Sequence, residues 1–106
     1  MTEEYKLLKL TNQAKLRRII QEIRLITDGE LVVLFGSHSK GTATKNSDID
    51  IYIETTNTNL KKEIRKISDD ISVKIGNFNK ENQLVKEIIK NHVIIQNTHR
   101  FYKLIK

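Results

Sequence analysis

The sequence predicts one α/β domain (α+β in style) with a small mixed β-sheet and helices packed mainly on one side. Three observations carry this. The chain has 106 residues, the usual size of a single domain. Apolar or alternating runs of strand length are interspersed with segments of helical periodicity. No Pro-rich or Gly/Ser-rich linker and no internal repeat divides the chain, so residues 1–106 read as one domain.

The elements follow in order. Residues 12–27 repeat apolar side chains at helical spacing: Leu16, Ile19, Ile20, Ile23 and Ile26. Thr11 is the expected N-cap and Asp28-Gly29 the expected stop. Residues 3–9 add a short helical turn before it. Leu31 to Phe35 is a continuous apolar run, which fits a strand buried on both faces. Gly36 to Ser47 is small and polar and predicts a turn with a short helix. From Asp48 to Glu54 the chain alternates, with Asp48, Asp50, Tyr52 and Glu54 on one side and Ile49, Ile51 and Ile53 on the other. That is a half-buried strand. Residues 60–69 read as a helix with Leu60, Ile64 and Ile67 inward, and Ile71 to Ile75 as a third strand. Residues 81–91 form a helix, Val93 to Ile95 a short strand, and Thr98 caps a last helix that buries Phe101, Leu104 and Ile105.

Composition narrows the function classes. Hydrophobic residues are 38% and charged residues 30%, ordinary for a soluble globular protein. There is no cysteine, which excludes disulfides and thiolate metal sites. No apolar run approaches membrane-spanning length and the first residues do not read as a secretory leader, so no membrane role and a cytoplasmic setting are expected. The net charge is +6. The surplus lies after residue 59, where eleven basic side chains face five acidic ones. Nucleic acid is a possible partner for such a surplus, but it is not favoured, because no aromatic residues are interleaved with the charges as stacking platforms. Solvated helix faces, including Lys61, Lys62, Arg65 and Lys66, account for it.

One segment carries chemistry. Gly36-Ser37 follows a buried strand directly; ten residues later comes Asp48-Ile49-Asp50. Residues two apart on a strand share a face at roughly 6.5–7 Å. Two carboxylates on one face repel unless a cation joins them. Magnesium favours carboxylate oxygens together with substrate phosphates and water. Asp48 and Asp50 are therefore candidate metal ligands and catalytic residues, with Ile49 and Ile51 anchoring them from the core side. Gly36 lets backbone approach a phosphate, and Ser37 can donate to it. Lys40, a turn further on, can reach triphosphate oxygens. Ser47 can orient a carboxylate or a phosphate.

The stretch Leu34 to Glu54 (LFGSHSKGTATKNSDIDIYIE) resembles the signature of the DNA polymerase β-like nucleotidyltransferase superfamily. Its spacing is similar to that of the minimal nucleotidyltransferases, commonly antitoxins paired with a HEPN-type toxin. The resemblance implies the nucleotidyltransferase fold. It also implies magnesium-dependent transfer of AMP from ATP to a protein acceptor, a tyrosine of the toxin, in a homo- or hetero-oligomer. Gly36 and Ser37 would hold the triphosphate, and Asp48 and Asp50 the magnesium. Basic residues often match His38 and Lys40.

The superfamily adds a third carboxylate on the next strand. Here that strand presents Ser72 and Lys74 on the expected face, while Asp70 lies at its edge and Glu54 a full repeat beyond Asp50. A two-metal site stabilises both attacking and leaving oxygens. Its incomplete acid set leaves an alternative open: a non-catalytic nucleotide-binding or toxin-binding antitoxin module. Several other residues have a structural reading beside a functional one. His38 is a phosphate donor or a solvated loop histidine, and Tyr52 stacks on a base or lines the sheet. His92 and His99 lack zinc-ligand spacing. Asp69-Asp70 is expected to end a helix or fill a turn.

Overall fold

A computed structural model describes residues 2–106. Helices α1 (Glu3–Thr11) and α2 (Ala14–Thr27) precede strand β1 (Val32–Phe35). The single turn α3 (Ser37–Lys40) leads to β2 (Ile49–Glu54), α4 (Asn59–Arg65) and β3 (Ile71–Gly76). Then come α5 (Gln83–Lys90), β4 (Val93–Gln96) and α6 (Thr98–Ile105). The strands form one mixed sheet in the order β3-β2-β1-β4. β1 is antiparallel to β2 and β4, whereas β2 and β3 run parallel.

Parallel pairing needs a crossover, and α4 supplies it. Period-2 alternation gives the sheet two apolar faces. On the first, Val32, Leu34, Ile49, Ile51, Ile53, Val73 and Ile95 meet Leu16, Ile19, Ile20 and Ile23 of α2, with Leu10 of α1 and Ile64 of α4. On the second, Leu31, Val33, Tyr52 and Ile94 meet Val85 and Ile88 of α5, Phe101 of α6 and Phe78 of the intervening loop. Three helices, including the longest, thus share one face, and α5 and α6 cover part of the other.

β2 departs from the half-buried strand expected of it. Tyr52 is only 7% exposed. Its ring lies edge-on to Phe78 with centroids 5.5 Å apart, and its hydroxyl donates to the Asn77 carbonyl at 2.8 Å. Tyr52 therefore lines the sheet. Burial raises its phenol above the ordinary value, with the Glu54 charge adding to the effect. Asp50, earlier on the same strand, is half-buried and Asp48 is exposed.

Two caps also differ from expectation. Thr11 closes α1 instead of opening α2; its hydroxyl donates to the Leu7 and Leu8 carbonyls at 3.0 and 3.1 Å. Gln13 stands at the N-cap of α2 without a side-chain bond. The last helix is capped by Asn97, at φ 66°, whose side chain accepts from the Arg100 amide. Asparagine tolerates this left-handed backbone better than threonine, which is β-branched. Asp28, at φ 39°, does end α2.

α1 is a full nine-residue helix because its N-terminus is tied across the molecule. Glu3 accepts from the Tyr102 hydroxyl at 2.7 Å and lies 3.2 Å from both His92 Nε2 and Lys6 Nζ. Burial pushes the Glu3 carboxyl up, but the Tyr102 hydroxyl, His92 and Lys6 together outweigh it and hold it below the ordinary range. A carboxyl depressed in the folded state stabilises above its unfolded pKa, and the contribution is lost as pH falls through the folded value. Hydrogen exchange should therefore show α1 amides losing protection below about pH 4. Glu3→Gln should loosen α1 at neutral pH by about 1 kcal/mol. Equal α1 protection in the two proteins at pH 7 would contradict the tie.

Candidate functional site

The site starts from strand register. Phe35 pairs with Asp50 across β1 and β2, and Asp50 pairs with Ser72 across β2 and β3. The residue after Phe35 must therefore turn away beside the Asp50 carboxylate. That residue is Gly36, at φ 74° and ψ −153°, a region open essentially to glycine alone. A Cβ at this position would stand 2.1 Å from Asp50 Oδ2. The two halves of the sequence motif thus touch, and contact depends on the missing side chain.

Past Gly36 the chain winds into α3. The Gly36 carbonyl accepts from the Ser39 amide at 3.1 Å, the Lys40 amide at 3.2 Å and the Ser39 hydroxyl at 2.7 Å. Gly41, at φ 73°, closes the turn with its N–H on the Ser37 carbonyl. Ser39 also reaches the Asn91 carbonyl at 3.3 Å, which ties the loop to the turn before β4. Sequence reasoning did not single out Ser39; its small size and position inside the loop are the only signal. Ser37, the first residue of α3, is half-buried.

A second turn delivers the aspartates. Ser47 Oγ accepts from the Thr44 amide at 2.8 Å, and the Ser47 amide donates back to the Thr44 carbonyl at 3.1 Å. The Ser47 hydroxyl is thereby engaged in the turn that precedes Asp48. Asp48 is exposed and Asp50 half-buried. Burial pushes the Asp50 carboxyl above the ordinary aspartate value, and neighbouring Asp48 adds to this; His38 and Lys74 pull the other way. Among the described residues neither aspartate forms an ion pair within 4.0 Å. The arrangement is a carboxylate pair that a cation would relieve.

Lys40 is exposed at the end of α3. It lines a cleft of about 290 Å³ between α1 and α3, together with Lys6, Lys9 and His38. His38 is the member of this basic group whose charge also reaches Asp50.

The other acids near the sheet are occupied. Arg100 donates to Glu54 from Nε at 2.8 Å and from Nη2 at 3.2 Å. Asp70 pairs with Lys15 of α2 at 2.5 Å, and its backbone carbonyl accepts from the Ile49 amide. His92 is buried against the Ile88 and Ile89 carbonyls and Glu3, and His99 is exposed on α6. Among the described residues no three His, Cys, Asp or Glu side chains gather as a metal cluster. The donor set of Asp48 and Asp50 therefore fits one magnesium ion that brings phosphate and water ligands with it.

The sequence pattern of the nucleotidyltransferase domain family matches residues 14–96. Among solved structures, the chain is similar to a toxin–antitoxin complex crystallised with AMP-PNP. The likeness has 24% identity, covers 84% of this chain and 78% of that one, and gives a TM-score of 0.56. It is also similar to a mutant of the MntA–HpeT toxin–antitoxin, at 22% identity, the same coverages and a TM-score of 0.59. At these identities the likeness is one of fold. No curated protein matches the chain in sequence.

Gly36→Ala tests the contact at the centre of the site. Strain at this backbone is expected to lower stability by about 2 kcal/mol in denaturant unfolding. The displaced Asp50 carboxylate is expected to weaken magnesium-dependent nucleotide binding by about tenfold or more in calorimetry. Wild-type affinity in this variant would contradict the geometry.

Proposed function

We propose that this chain, which belongs to the nucleotidyltransferase domain family, transfers AMP from ATP to a side chain of a partner protein, as the antitoxin of a toxin–antitoxin pair. The observation that carries the proposal is the packing of Gly36 against Asp50, which joins a phosphate-binding turn to a carboxylate pair. The fold it shares with toxin–antitoxin structures, one of them solved with AMP-PNP, supports the choice of nucleotide and partner class. By the family resemblance, the acceptor is a tyrosine hydroxyl on a HEPN-type toxin. We read residues 1–106 as one minimal nucleotidyltransferase domain, acting in the cytoplasm. Among the described residues no helix is long and apolar enough to cross a membrane.

Each residue has a role in this reading. The Gly36 turn brings backbone close to the phosphates, and the Ser37 hydroxyl donates to one. Asp48 and Asp50 would hold a magnesium ion, which when bound would supply charge neutralisation of the triphosphate and polarisation of the phosphoryl group. Ser47 acts through the turn that aims Asp48. Lys40 adds positive potential from the end of α3. In the transfer, the acceptor oxygen bonds to the α-phosphorus. The bond from that phosphorus to the bridging oxygen breaks, pyrophosphate leaves and the hydroxyl proton passes to water.

One observation favours a second reading. Ser72 and Lys74 stand where a third acid would complete the site. A non-catalytic nucleotide-binding or toxin-binding module is compatible with that pair.

Incubation with α-labelled ATP and the toxin separates the two readings. Wild-type protein is expected to label the toxin. Asp48→Ala/Asp50→Ala should label it about 100-fold more slowly or worse, the scale of losing a transition-state charge contact. Equal labelling by the two proteins would remove the metal assignment. Nucleotide binding without any labelling would select the second reading.

A further inference from the structure

The parallel pairing of β2 and β3 decides what stands beside Asp50. Ser72 lies directly opposite it, and Lys74 lies opposite Tyr52, one repeat further along the same face. A two-residue repeat is about 6.6 Å, a distance the side chain of a lysine spans. Tyr52, held edge-on to Phe78, lines a cleft with Lys74, Lys61, Asn82 and Leu84. Lys74 itself is exposed, and among the described residues it makes no ion pair within 4.0 Å. Its charge acts on the Asp50 carboxylate.

The remaining acids do not compete for the position. Arg100 holds Glu54 at the far end of β2, and Lys15 draws Asp70 to the α2 side of the sheet. A second divalent cation at this site would have only the two aspartates to share and an ammonium for a neighbour. Like charges so placed repel.

We propose that the site takes a nucleoside triphosphate with a single divalent cation, and that the Lys74 ammonium supplies positive charge on the β3 side of Asp50. The proposal rests on the nucleotide-binding reading above and goes beyond it in the number of ions and in the role of Lys74. An ammonium neutralises a phosphate oxygen as a point charge but accepts no proton. Lys74 is thus a phosphate-binding and charge-balancing residue.

Equilibrium dialysis of the full chain against manganese and AMP-PNP counts the ions directly. Bound manganese is measured by atomic emission and bound nucleotide by absorbance. Wild type is expected to retain one manganese per nucleotide. Lys74→Glu places a carboxylate where the ammonium was and should retain two. Lys74→Met should retain one and bind the nucleotide about tenfold more weakly, having lost a charged donor. Circular dichroism melts of the two variants should match wild type, since Lys74 is exposed.

A ratio of two in wild type, or of one in Lys74→Glu, would overturn the proposal. So would unchanged or tighter binding in Lys74→Met. Failure of wild type to retain any nucleotide would overturn the nucleotide-binding reading itself, and this inference with it.

Discussion

The site depends on the register of β2. Because β2 pairs antiparallel with β1 and parallel with β3, Phe35, Asp50 and Ser72 form one row across the sheet. A slip of one residue would move every β2 side chain to the opposite face. It would turn Asp50 into the α2 core and Ile51 into the site. Ile49, Ile51 and Ile53, all at most 2% exposed, resist that slip. The apolar half of the strand therefore sets the position of the acidic half.

The second face shows how a short chain covers the middle of its sheet and leaves the candidate site at one corner. Phe78 and Phe101 pack at a tilt over the second face of the sheet, with Tyr52 edge-on to Phe78. The Arg100–Glu54 pair closes one end. On the outer strand, Arg24 donates to the Ile95 carbonyl through Nε at 3.2 Å and Nη2 at 2.9 Å, and so blunts the β4 edge. Beside that cover lies the corner where Gly36 packs on Asp50 and Asp50 faces Ser72, with Lys74 one repeat further along β3. Two loops are fixed around that corner, one by Ser39 on Asn91 and the other by Ser47 on Thr44.

Much of this was legible in the sequence, for identifiable reasons. Isoleucines at strict period 2 define β2, and the run Leu31 to Leu34 defines a strand covered on both sides. The face of α2 follows from Leu16, Ile19, Ile20 and Ile23, all buried. The illegible parts are set by distant contacts. α1 extends to nine residues because Tyr102 and His92 hold Glu3, 99 and 89 residues away. Tyr52 is buried by Phe78, whose loop gives no periodic signal. Caps shifted from Thr11 and Thr98 because backbone conformation, which composition does not encode, decides which residue takes the cap. In the site, the Gly36–Asp50 approach follows from register, but the direction of Lys40 does not. Lys40 lines a cleft built partly by Lys6 and Lys9 of α1.

The central claim is that one corner of the sheet binds a metal-bearing nucleotide through Gly36, Ser37, Asp48 and Asp50. Paramagnetic broadening tests it most directly. Manganese and AMP-PNP, added in trace amounts to isotopically labelled protein, broaden the amide signals nearest the ion. The account predicts that Gly36, Ser37, Asp48 and Asp50 broaden first, followed by Ser72 and Lys74, with α5 and α6 last. Broadening centred on the lysine-rich face of α4, or spread evenly over the basic side chains, would contradict it.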